Sequence, residues 1–148
     1  MSSPATIFII DDEPDLVVLL TGVLQAAGHR VVSAPNGLEA LERLKTLKPD
    51  LIILDMNMPK MGGVEFYNRL ASRSETGRPD FPILVLTARA NLETLFKDLE
   101  IDGFMTKPFE IEGLLHEAEA ILRSRRGDPP VRRPRKAGQS VKVLLVEA

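Results

Sequence analysis

Residues 51–63 read LIILDMNMPKMGG: four consecutive apolar residues, then an acid, then a loop built on Pro59, Gly62 and Gly63. A strand with one wet face alternates apolar and polar residues, so a run apolar at every position belongs to a strand covered on both faces. That is the situation of a central strand in a parallel sheet, and its neighbours in sequence fit the same frame.

Upstream, Thr6–Ile10 is a second such run, rich in isoleucine and stopped by Asp11, Asp12 and Glu13. Pro14 to Ala27 places Leu16, Leu19, Leu20, Val23 and Leu24 on one helical stripe, with Gly28 as a C-terminal stop. Arg30–Ala34 reads as a short strand. Asn36 can cap a helix across Leu38, Leu41, Leu44 and Lys48, which Pro49 terminates. Downstream, a helix is expected from about Val64 to Ser74, a strand at Ile83–Leu86 and a short helix at Asn91–Leu99. A fifth strand follows around Phe104 and Met105, then a helix across Ile111, Leu114, Leu115, Ala118, Ile121 and Leu122. Five strands alternating with five helices predict an α/β fold, a doubly wound five-stranded parallel sheet with helices on both faces.

In such a sheet every strand's C-terminal end lies on one edge, where ligands bind. Asp11-Asp12-Glu13 follows the first strand, Asp55-Met56-Asn57 the third, Thr87-Ala88 the fourth and Lys107-Pro108 the fifth. Singly, each has an ordinary explanation: acids and Thr cap helices, and Lys-Pro is common in loops. Their joint appearance at strand ends points to one site.

The segments IFIIDDEPD, LIILDMNMPKMGG, ILVLTA and MTKPF, in this order and spacing, resemble the receiver domain of two-component response regulators. The resemblance covers residues 5–123 and implies the flavodoxin-like strand order 2-1-3-4-5. Crowded carboxylates at Asp11, Asp12 and Asp55 repel one another and raise each other's proton affinity, which a divalent cation relieves. Mg²⁺ suits oxygen ligands that are few and shared with a phosphate. By resemblance, Asp12, Asp55 and the backbone carbonyl of Asn57 ligate it, and Asp11 acts largely through water. Asp55 is then the nucleophile and the phosphorylation site, taking a phosphoryl group from a phosphohistidine, with Thr87 and Lys107 holding the transferring oxygens. At rest, Lys107 also reads as an ion-pair partner of the acids.

Phe104 stands three residues before Lys107, where the family often has an aromatic. It reads either as a switch residue that turns when Thr87 moves toward a phosphate, or as core filler. Asn57 and Arg89 border the site, at positions that in the family influence acyl-phosphate hydrolysis. Twenty positions separate Thr87 from Lys107, about two fewer than the family's habit, and Ser74–Pro82 is slightly long. The shortening bears on the face formed by the fourth helix, fifth strand and fifth helix.

The partners implied are a sensor histidine kinase or phosphotransfer protein, and a downstream protein or fused output domain. Homodimerisation through the fourth-helix, fifth-strand, fifth-helix face is an option. The resemblance implies no enzyme activity beyond the chain's own aspartyl phosphorylation and dephosphorylation. Two rivals are a phosphorylation-independent adaptor and a haloacid-dehalogenase-like phosphatase. The second would want another acid two residues after the nucleophile, where Asn57 stands.

Composition narrows the classes further. Of 148 residues none is cysteine and two are histidine, which excludes disulfide frameworks, thiolate metal sites and zinc clusters. No apolar run reaches the roughly 20 residues of a membrane span, and MSSPAT lacks a signal-peptide profile. A cytoplasmic location is expected. The net charge of −2 divides unevenly. Residues 1–122 carry 11 Lys/Arg against 19 Asp/Glu, and residues 123–148 carry 8 against 2. The acidic body is not expected to bind nucleic acid. Residues 124–140, SRRGDPPVRRPRKAGQS, have the composition of a basic linker. Residues 141–148, VKVLLVEA, return to a strand-like run, read as a strand pairing with an edge of the body or another chain or, in preference, as the start of a truncated second domain, with Glu147 where Asp11 stands and Ala148 where Asp12 stands.

Overall fold

The computed structural model describes residues 4–56, 58, 61–88 and 101–125. Strands β1 (Thr6–Ile10), β2 (Arg30–Ala34), β3 (Leu51–Asp55), β4 (Ile83–Thr87) and β5 (Gly103–Thr106) form one five-stranded sheet. All its pairings are parallel and the order is β2-β1-β3-β4-β5, the doubly wound sheet expected. Every residue of β3 and of β4 is buried.

Strand alternation sorts the apolar residues into two cores. Phe8, Ile10, Ile52, Leu54, Ile83 and Val85 pack with Leu41 of α2 (Gly37–Arg43) and Phe66 and Leu70 of α3 (Gly63–Ala71). Ile7, Ile9, Leu51, Ile53, Leu84 and Leu86 pack with Leu20 and Leu24 of α1 (Pro14–Ala26) and Leu114, Ala118 and Ile121 of α4 (Ile111–Arg125). Helices therefore cover both faces.

Local signals end the elements much as the sequence suggests. Asn36 caps α2, its side chain accepting from Glu39 N–H. Gly28 takes φ 98°, the left-handed conformation that ends a helix without a Cβ penalty. Three helix ends differ by more than one residue. α2 stops at Arg43, well before Lys48, because Lys45 and Thr46 N–H donate to Glu42 and Arg43 carbonyls, tightening the chain into a turn. α3 stops at Ala71 for the same reason, with Arg73 and Ser74 N–H turning back to Leu70 and Ala71. α4 continues to Arg125.

Leu19 departs from its expected place. It is 48% exposed, while Leu16 and Val17 pack partly against the core beside buried Leu20 and Leu24. Positions 16, 20 and 24 follow one four-residue ridge with Val17 on one flank, and Leu19 lies about 100° around the helix from Leu20 on the other.

His29 holds α4 to the sheet. Its buried Nδ1 accepts from Ala5 N–H at 3.2 Å, which leaves Nε2 to donate to Glu119 Oε2 at 2.7 Å. The helix expected at Asn91–Leu99, Arg89, Asn57 and the tail beyond Arg125 lie outside the described residues. So does the strand-like run 141–148.

Candidate functional site: an acidic pocket at the C-terminal sheet edge

The sheet ladder itself assembles the site. Asp55 ends β3 in register with Leu86, and Thr87 ends β4 in register with Thr106, one residue before Lys107. Beyond the strands the ladder continues: Asp11 N–H donates to Ala34, Met56 N–H to Leu86 and Lys107 N–H to Thr87. The short stretch between Thr87 and Lys107 thus leaves the β4–β5 register intact. The chemistry-bearing residues are fixed by backbone pairing.

Asp11 and Asp55 are each 2% exposed and Thr87 is fully buried, whereas Asp12 is exposed. Carboxylate oxygens of Asp11, Asp12 and Asp55 lie within 4.8 Å of one another. Lys107 Nζ sits 3.5 Å from Asp11 Oδ2 and from Asp55 Oδ1, and 3.2 Å from Glu13 Oε1.

Asp11 uses its two oxygens unequally. Oδ1 accepts from Glu13 N–H at 2.8 Å, but buried Oδ2 accepts no hydrogen bond. Burial pushes the Asp11 carboxyl above the usual carboxylate range, and repulsion from Glu13 and Asp12 adds to this. The Glu13 N–H bond and Lys107 oppose it. For Lys107, burial acts to lower the pKa, but attraction to Asp55, Asp11 and Glu13 outweighs it and holds the ammonium above its ordinary value. An incompletely satisfied buried oxygen and three converging carboxylates form a donor set suited to a hard cation such as Mg²⁺.

Close packing brings the following loop against the site. Gly63 N–H donates to Met56 carbonyl, and a Cβ on Gly63 would lie 2.3 Å from Met56 Sδ and 2.8 Å from Met56 Cα. Only glycine permits that approach.

Of the residues singled out in the sequence, Asp11, Asp12, Asp55 and Lys107 converge, and Thr87 stands at the same edge on the strand beside Asp55. Phe104 lies in β5 in register with Val85, half-buried against the core that contains Phe8 and Ile52. In the sequence Glu13 stands only as part of the acidic stop after β1. Its contact with Lys107 spans 94 residues of sequence, and the sole hint was a third acid beside the pair.

Residues 7–119 match the family model described as response regulator receiver domain. The alkaline phosphatase synthesis transcriptional regulatory protein PhoP of Bacillus subtilis is 40% identical over 119 residues, 79% of this chain and 48% of that protein. The DNA-binding dual master transcriptional regulator RpaA of Synechocystis is 36% identical over 119 residues, 79% of this chain and 48% of its own. The chain spans about half the length of these curated relatives. Among solved structures, the chemotaxis protein CheY4 of Vibrio cholerae superposes with TM-score 0.72 at 30% identity, over 80% of this chain and 99% of that one. The response regulator TrrA of Thermotoga maritima, in complex with Mg(2+)-BeF, gives TM-score 0.69 at 29% identity, over 78% and 97%. With the sheet order, the strand-end acids and these likenesses in agreement, the chain belongs to the receiver-domain family of two-component response regulators.

Proposed function

We propose that this receiver domain is a phospho-accepting switch in which Asp55 takes the phosphoryl group. The observation that carries the reading is the meeting of buried Asp55 with Asp11, Asp12 and Lys107 at one sheet edge. An Asp55 carboxylate oxygen attacks phosphorus, the P–N bond of a phosphohistidine breaks, and the ring, already protonated on its other nitrogen, leaves as neutral imidazole. Asp11, Asp12 and Asp55 would hold Mg²⁺, together with the Asn57 carbonyl by family resemblance. Bound Mg²⁺ supplies positive charge against the acids and the transferring oxygens. Lys107 supplies a second positive charge, already drawn to Asp55, and the Thr87 hydroxyl a hydrogen-bond donor. Catalysis is then positioning and charge neutralisation, and the chain is no enzyme toward other substrates.

A switch needs a two-state element that the phosphate biases. Thr87 and Phe104 are the residues proposed to couple the site to the β5–α4 face, where a downstream partner, a fused output domain or a second copy would dock. The donor is a sensor histidine kinase or phosphotransfer protein. None of the described helices is long and apolar enough to cross a membrane. A cytoplasmic location belongs to the proposal because a sensor kinase presents its phosphohistidine there. The likeness to PhoP and RpaA, both transcriptional regulators, supports gene regulation as the output.

The deciding experiment is incubation with acetyl phosphate and Mg²⁺ followed by intact mass measurement. One phosphoryl adduct is expected, absent in Asp55→Asn. No adduct on the wild-type chain would overturn the reading in favour of a phosphorylation-independent adaptor, and turnover of unrelated phosphomonoesters would favour a phosphatase.

A further inference from the structure

Lys107 is held by three carboxylates, and one of them lies outside the metal-binding acids. Glu13 occupies the N-cap of α1, a position where Ser, Thr, Asp or Asn commonly turns its side chain onto the helix N–H groups. Here it makes no such bond. Its carboxylate instead reaches Lys107 Nζ at 3.2 Å, against 3.5 Å for Asp11 and Asp55.

The distinction matters once the pocket fills. Positive charge among Asp11, Asp12 and Asp55 weakens the hold of those acids on Lys107, and a phosphoryl group on Asp55 offers its own oxygens to the ammonium. Glu13 belongs to neither set. Its side chain is 60% exposed, and neither the metal nor the phosphoryl group would draw on it. Glu13 and the phosphoryl oxygens therefore compete for one cation.

We propose that Glu13 is a positioning residue that restrains Lys107 at rest and withholds its ammonium from phosphorylated Asp55, setting the bias of the switch toward the off state. This rests on the phospho-accepting reading above. A half-exposed ion pair has modest strength, equivalent to about a two- to five-fold change in an equilibrium, so Glu13 tunes the switch and does not lock it.

The test is titration of the full chain with beryllofluoride in Mg²⁺, a phosphoryl mimic that bonds reversibly to the aspartate carboxylate and needs no phosphoryl donor. It is run on wild type, Glu13→Gln, Lys107→Ala and the double variant as a cycle. Glu13→Gln is expected to bind about two- to five-fold more tightly, and the gain is expected to vanish in the Lys107→Ala background. An unchanged or weaker Glu13→Gln overturns the inference. An equal gain in both backgrounds also overturns it, because the effect would then be simple loss of negative charge. NMR of the Lys107 ε-methylene without Mg²⁺ gives a readout independent of the metal, which decides the contact even where Lys107→Ala binds too weakly to titrate. The signal is expected to shift in Glu13→Gln, and an unmoved signal overturns the contact. A wild type that neither binds the mimic nor forms the mass adduct removes the phospho-accepting reading as well. A wild type that binds, with an indifferent Glu13→Gln, removes this inference alone.

Discussion

Gly63 shows how one missing side chain shapes the site. Its absent Cβ would lie 2.8 Å from the Met56 Cα, a backbone atom that cannot move without carrying Asp55 with it. Gly63→Ala is expected to destabilise by about 1–3 kcal/mol, the usual range for overpacking, and to slow adduct formation from acetyl phosphate. Gly62→Ala is the control, since its Cβ would meet only Met56 carbonyl at an ordinary 3.7 Å. Denaturant unfolding of both variants, with equal losses, would remove the close-approach explanation. Asp11 carries a second expectation. Burial raises its pKa, so the fold favours the protonated form and ionising the carboxyl costs stability. The penalty is absent below the unfolded value of 3.8 and grows as pH rises through the folded one. Asp11→Asn is therefore expected to raise the thermal midpoint at neutral pH without Mg²⁺. Mg²⁺ at about 100 times its Kd should stabilise the wild type by about 2.7 kcal/mol, and Asp11→Asn should lose most of this. Calorimetry with and without Mg²⁺ reads both. Lys107 has the opposite balance. Its favourable contribution is complete below 10.5, the unfolded value, and fades as pH rises through the higher folded value. The stability difference between wild type and Lys107→Ala should accordingly shrink only in strong alkali.

At the scale of elements, α1 separates what periodicity can indicate from what packing selects. Leu16, Leu19, Leu20, Val23 and Leu24 share one broad helical stripe, but the sheet takes the ridge through Leu20 and Leu24 and leaves Leu19 outside. Leu20→Ala is expected to cost about 2–5 kcal/mol, as for a buried leucine, and Leu19→Ala less than about 0.5 kcal/mol. Chemical denaturation distinguishes them, and equal costs would contradict the packing described. The strands were legible almost residue for residue, because a buried strand is apolar at every position and ends abruptly at a polar residue. Helix ends were less so. α2 and α3 close through three-residue turns, a choice made by local hydrogen bonds that leaves no mark on hydrophobic spacing.

Across the whole molecule, the parallel sheet turns distant sequence into one edge. The ladder keeps Thr87 opposite Thr106 whatever the length of chain between them, which is why a spacing unusual for the family leaves the chemistry in place. The same long-range order brings His29 to Glu119, pinning α4 to the start of the sheet. The uneven charge of the chain also gains meaning here, since Asp11, Asp12 and Asp55 of the acidic body converge on one pocket. The amino-acid sequence by itself determined the order of the elements, the two-sided sheet and the identity of the acids, Thr and Lys at the strand ends. Those features follow from burial periodicity and from the rule that parallel strands finish on one edge. Only the tertiary structure decided that Glu13 reaches Lys107, that Asp11 Oδ2 lacks a hydrogen bond and that Leu19 stays in solvent. Each of these depends on how close two remote segments come, and distances of that kind are set by packing between elements, which no local pattern records.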